Sequence, residues 1–177
     1  MRGSGHPRAG RVRSVRDGID AHLGSRDVAR VIYGSIVGLA LVVALEDHPP
    51  GAGETAAALL GTALAVGLAE AYSELVGTEA RTRRPVDRTQ VRELLADSAS
   101  VTFGAGFPAL FFVIAAAGAI ELGLAFTLAK WTGLGLIGAY GFLAARVSGA
   151  GLGRALVHAA VLGAIGGALI ALKALVH

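Results

Sequence analysis

The chain contains no cysteine, and its one methionine is residue 1. Disulfides, thiolate metal sites and thiol nucleophiles are therefore excluded, and the interior offers no thioether ligand. Aromatic residues make up 6% of the 177 positions and charged residues only 16%. A soluble domain normally carries about a quarter charged residues to cover its surface. Here something other than water has to do the covering. Lysine is scarce too: Lys130 and Lys173 stand alone, and positive charge rests on arginine. No Gly-x-Ser-x-Gly, His-Glu-x-x-His or phosphate loop ending in Gly-Lys-Ser/Thr occurs, so no enzyme is expected. Nothing in the chain calls for a cofactor. The formal charge of +3 and isoelectric point near 9.8 come from arginines beside apolar runs. Their expected partner is the bilayer headgroup region, not nucleic acid.

What fills the chain instead is hydrocarbon, with 54% hydrophobic residues and a mean hydropathy of +0.62. Apolar stretches cover about 28–45, 55–76, 99–120, 122–145 and 155–176. Each can cross a hydrocarbon core of roughly 30 Å at about 1.5 Å per residue. The expected fold class is an all-α membrane protein with five transmembrane helices in residues 27–177. The first span stops at Glu46-Asp47-His48-Pro49-Pro50-Gly51, which ends a helix and forces a turn. The second is followed by Arg81, Arg83, Arg84, Arg88 and Arg92. Within that connector, Asp87 and Gln90 have the spacing of an N-cap and its reciprocal partner. A short helix over 88–98 is predicted, with Val91, Leu94 and Leu95 on one face. Pro108 predicts a kink in the third span. A tight turn is expected at Glu121 and a flexible connector over 148–153.

Residues 1–26 read as a basic tail carrying Arg2, Arg8, Arg11, Arg13 and Arg16. Val12, Val15, Ile19 and Leu23 allow a short surface helix; an unstructured tail is the other reading. The pattern of a cleaved signal peptide is not found. If all five spans cross, every arginine falls on one side. The opposite side holds Glu46, Asp47, Glu54 and Glu121, with only the two lysines nearby. The N-terminus is therefore expected in the cytoplasm and the C-terminus outside, in a multi-pass protein of the cell membrane.

Polar groups inside spans need a reason. Glu70 and Glu74 are four residues apart near the end of the second span, with Ser73 on the same face. Two such carboxylates repel when both are ionised and would favour a bound cation or a shared proton. Oxygen ligands suit hard or borderline divalent ions. The alternative is that both reach water or pair with Arg81, Arg83 or Arg84. Lys130, beside Trp131, is expected to snorkel to the outer headgroups. His158 is expected in an interfacial or interhelical hydrogen bond, and Arg30 and Tyr33 as interfacial anchors. Gly34 with Gly38, and Gly163 with Gly167, have the small-xxx-small spacing of close helix contacts, within or between subunits.

The stretch Tyr33-Gly34-Ser35-Ile36-Val37-Gly38-Leu39, the residues Glu70 and Ser73, and the ending from Gly138 through Ala145-Arg146-Val147-Ser148-Gly149 to Gly163 resemble the vacuolar iron transporter (VIT-like) family. The resemblance covers about residues 28–177. It implies five membrane helices, a cytoplasmic N-terminus, and a homodimer with the first two helices at its centre. It also implies iron or manganese transport, with Glu70, Ser73 and Glu74 as the path residues. Several positions depart from the family. Val37 stands where the family has an aspartate, and Ala71 replaces the tyrosine after the helix-two glutamate. The pore methionines are missing, and the acidic insert has shrunk to 78–97, with Glu79 and Glu93 its only glutamates. The leading expectation is a membrane protein that moves or binds Fe²⁺ or Mn²⁺. The alternative is a non-transporting scaffold or partner subunit. A Glu70 facing a polar cleft favours the first, and a Glu70 held by an arginine favours the second.

Overall fold

The computed structural model describes residues 25–176, and every regular element among them is helical. The helices are α1 (Ser25–Leu45), α2 (Ala52–Thr82), α3 (Arg88–Gly106), α4 (Ala109–Ala116), α5 (Leu122–Val147) and α6 (Leu152–Val176). The surface helix considered for the basic tail lies outside the described residues. By length and composition, α1, α2 and α5 can each cross a membrane, and α3 with α4 forms a fourth, broken span bent by 56°. The α6 helix is apolar over Leu152–Ala168.

Local chemistry sets most of the boundaries. Pro49 and Pro50 prevent α1 from continuing, because proline lacks the amide hydrogen and clashes with the preceding turn. At the start of α2 the Glu54 carboxylate accepts from the Gly51 amide at 3.2 Å. That satisfies one orphan donor of the first turn. Asp87 caps α3 as its spacing requires: Oδ1 accepts from the Thr89 and Gln90 amides at 2.8 and 2.9 Å. Gln90 Oε1 in turn accepts from the Asp87 amide at 3.1 Å. At the end of α2, Arg83 takes the left-handed conformation (φ 53°) and its amide donates to the Glu79 carbonyl at 2.8 Å. The Glu79 carboxylate braces the same turn by accepting from Val86. Pro108 supplies the expected bend. The expected division near residue 98 is absent, however. The capped helix continues as one piece into the membrane segment, because residues 96–102 contain no proline or glycine to stop it.

The α1 helix is the centre of the bundle. Its apolar window is 44% buried, against 28% for those of α2 and α5. It lies between α3 on one side and α5 on the other, while α6 packs mainly on α5 and α4 bridges α2 and α5. The contact with α3 is backbone on backbone. A Cβ on Gly34 would fall onto the Val101 carbonyl oxygen, one on Gly38 would lie 2.6 Å from that of Ala105, and one on Gly104 would meet the Val31 carbonyl. Without a hydrophobic drive between helices in lipid, close van der Waals contact of this kind is what holds them. The Gly34–Gly38 pair therefore serves a contact within the chain. Gly163 and Gly167 have open space where a Cβ would go. Toward the Glu46 end, Val42, Leu59, Phe112 and Phe126 form the main apolar cluster. Phe112 and Phe126 meet edge to face at 4.7 Å, a favoured aromatic geometry.

Antiparallel packing sorts charge to the two ends. Arg30, Arg81, Arg83, Arg84, Arg88, Arg92, Arg146 and Arg154 flank one end, while Glu46, Asp47, Glu54, Glu121 and Lys130 flank the other. Lys130 does not stand alone at its end. Its Nζ pairs with Glu46 Oε1, so the ammonium reaches a carboxylate in the turn just after α1 where snorkelling alone was expected.

Candidate functional site

The polar residues singled out in the second span sit at the arginine-rich end, where α1, α2 and α3 converge. Arg30 enters from the first third of α1, with its side chain only 12% exposed. Its Nε donates to Glu70 Oε1 at 3.4 Å. Its Nη1 lies 2.9 Å from Asp97 Oδ2 on α3, and 4.0 Å from Asp27 Oδ1 one helical turn away. One guanidinium thus stands between carboxylates from three helices. A delocalised, weakly hydrated cation with a fork of donors suits that position better than a lysine would. Arg30 is a crosslink at the helix junction, a role beyond the interfacial anchoring expected of it.

Glu74 has a different partner. Arg81, further along α2, places Nη2 3.2 Å from Glu74 Oε1 and also 3.2 Å from Thr78 Oγ1. Glu70 and Glu74 share a helical face, yet each is engaged by its own arginine. Ser73 is exposed, and the hydrogen bonds of both carboxylates go to guanidinium groups instead. Among the described residues, no three His, Asp or Glu side chains converge as a metal site.

The space around these residues is open, polar beside Glu74 and mostly apolar beside Glu70. A cleft of about 460 Å³ is bordered by Ala29, Arg30, Glu74 and Arg81. A smaller one of about 280 Å³ is bordered by Ala29, Arg30, Tyr33 and Glu70. Both exist because α1 and α2 touch each other little, each being packed instead on α3. His158 lies elsewhere and is exposed. Its Nδ1 is 3.1 Å from the Arg154 carbonyl of its own helix, a bond within one helix where an interfacial or interhelical one was expected.

Asp97 and Asp27 were not singled out from the sequence, although signals for both exist. Asp27 and Arg30 have i,i+3 spacing, which puts them on one face. Asp97, Val101 and Gly104 recur at helical spacing along the face of α3 that meets α1, and that alignment requires α3 to be continuous through residue 98. No protein-family model matches the chain, and neither a curated protein nor a solved structure matches it.

Proposed function

We propose that the chain is a multi-pass protein of the cell membrane that uses a VIT-like five-helix layout as a scaffold or partner subunit. In this reading it has no divalent-metal path through the single chain. The observation that carries the reading is the position of Arg30, 3.4 Å from Glu70 and 2.9 Å from Asp97. A carboxylate serving a metal ion or a moving proton has to exchange partners. Glu70 is instead held by a fixed cation, and its neighbour Glu74 by another. Val37, in place of the family's helix-one aspartate, agrees with this reading.

On this reading α6 makes the fifth crossing. Its 25 residues amount to roughly 37 Å of helix, enough for the hydrocarbon core. The arginine-rich end faces the cytoplasm, where positive loops are retained. A homodimer remains the assembly that the VIT-like layout implies.

Reconstituted protein tests the reading directly. Proteoliposomes given Mn²⁺ or Fe²⁺, with a pH gradient of either sign, should take up no more metal than empty liposomes. Uptake above that level, abolished by Glu70→Gln, would overturn it and make Glu70, Ser73 and Glu74 a transport path.

A further inference from the structure

Between α2 and the bent α3–α4 pair runs an open apolar groove of about 700 Å³. Leu60, Leu64 and Leu68 line one wall, and Leu95, Phe103 and Leu110 the other, each with roughly half or more of its surface exposed. The second wall follows the 56° bend between α3 and α4 at Phe107–Pro108. Small residues keep its floor low. Gly106 lies against Ala63, and Gly67 leaves space that Thr102 fills. The hydroxyls of Ser98 and Thr102 donate to the Leu95 and Ser98 carbonyls at 2.9 and 3.2 Å. Among the described residues, the polar side chains lining the groove are thus turned to their own helix.

The groove also has a defined depth and a charged end. From the ion-pair level at Glu70 up to Leu60 is ten residues of α2, roughly 15 Å, about half of a hydrocarbon core near 30 Å thick. On α3, Arg88, Arg92 and Leu95 follow one another at i,i+4 and i+3, so the two arginines continue the Leu95 face outward from the groove. Both are exposed. The result is an apolar trough one leaflet long that ends at a pair of guanidinium groups, which bind phosphate oxygens well.

We infer that this groove holds one acyl chain of an anionic phospholipid, with the lipid phosphate at Arg88 and Arg92. A second copy of the chain would cover the leucines equally well. A two-fold contact on this face would, however, bring the same arginines of both copies to one level, where like charges repel. The proposal rests on the membrane reading above and not on the absence of transport, so a metal-uptake result leaves it standing.

Native mass spectrometry of the full chain in detergent tests it, with dioleoyl phosphatidylglycerol and dioleoyl phosphatidylcholine offered in equal amounts. One phosphatidylglycerol should be retained, with a preference on the order of tenfold from two arginines at an anionic headgroup. The double variant Arg88→Gln/Arg92→Gln should bring the two lipids close to parity. Ala99→Trp, at an exposed position lining the groove, should lower retention of both. Equal retention by the unaltered protein, an unchanged preference in the double variant, or unchanged retention in Ala99→Trp would each overturn the proposal. A lipid-free dimer that Ala99→Trp dissociates would overturn it as well and assign the groove to a second copy.

Discussion

Arg30 and Glu70 join α1 to α2 across forty residues of sequence, through a 3.4 Å contact between Nε and Oε1. The two helices are consecutive, yet each packs more closely on α3 than on its neighbour. The guanidinium is the main polar link where they come near. Removing it leaves Glu70 and Asp97 without the cation that stands between them. Breaking a well-buried pair costs about 3–5 kcal/mol. Glu70 and Asp97 are 32% and 45% exposed, so Arg30→Gln should lower stability by roughly 1–3 kcal/mol, discounted for solvent screening. Glu70→Gln should cost less, because Arg30 keeps Asp97. Denaturation midpoints of both single variants and the double variant in detergent would measure the coupling, expected at about 0.5–2 kcal/mol. Strict additivity would show that the pair is not an energetic link.

The glycines of α1 and α6 share a spacing but should respond differently. Gly34→Ala pushes a methyl group onto the Val101 carbonyl, and overpacking of this kind costs about 1–3 kcal/mol. Gly163→Ala meets open space and should change stability by no more than about 0.5 kcal/mol. Melting curves in one detergent suffice to compare them. Equal effects would mean that α1 and α3 do not approach as closely as described.

The Asp87 cap gives a local prediction. Asp87→Ala leaves the Thr89 and Gln90 amides without their acceptor and should cost about 1 kcal/mol. Hydrogen exchange should quicken at residues 88–91, with little change in the membrane segment. Asp87→Ser should restore most of the protection, because a serine hydroxyl can accept the same bonds. Unaltered exchange in the alanine variant would show that the cap does not hold the start of α3.

The absence of cysteine makes topology simple to test. In otherwise unaltered protein, Thr82→Cys and Ser148→Cys should react with a membrane-impermeant maleimide only from the cytoplasmic side. Gly51→Cys should react only from outside. Each introduced thiol lies at a turn or a helix end among exposed residues, so access rather than burial decides the result. Labelling of Ser148→Cys and Gly51→Cys from the same side would contradict the antiparallel crossing assigned to the membrane.

Much of this architecture depends on short-range chemistry and was legible in the residues alone. Prolines 49 and 50 stop a helix wherever they occur, Pro108 bends one, and the Asp87–Gln90 pair caps one. Each involves atoms only a few positions apart. The helical class and the charge asymmetry follow in the same way, since apolar runs and arginine clusters are properties of consecutive residues. The break placed near residue 98 failed for a local reason as well. A change from polar to apolar composition does not end a helix, and nothing in the backbone stops this one before Gly106.

The candidate site was legible only in part. The shared face of Glu70, Ser73 and Glu74 follows from helical spacing, and so did the possibility that Glu74 reaches Arg81. That Arg30 would claim Glu70 and Asp97, that Lys130 would meet Glu46 across eighty-four positions, and that Gly34 and Gly38 would face α3 were settled by packing. By itself the sequence determined which segments are helices, where prolines and caps bound them, and which end of each carries charge. Tertiary structure alone decided which cation neutralises which carboxylate and which helix lies at the centre. Those outcomes depend on how helices far apart in the chain are laid side by side, and helical spacing within one segment carries no information about its neighbours.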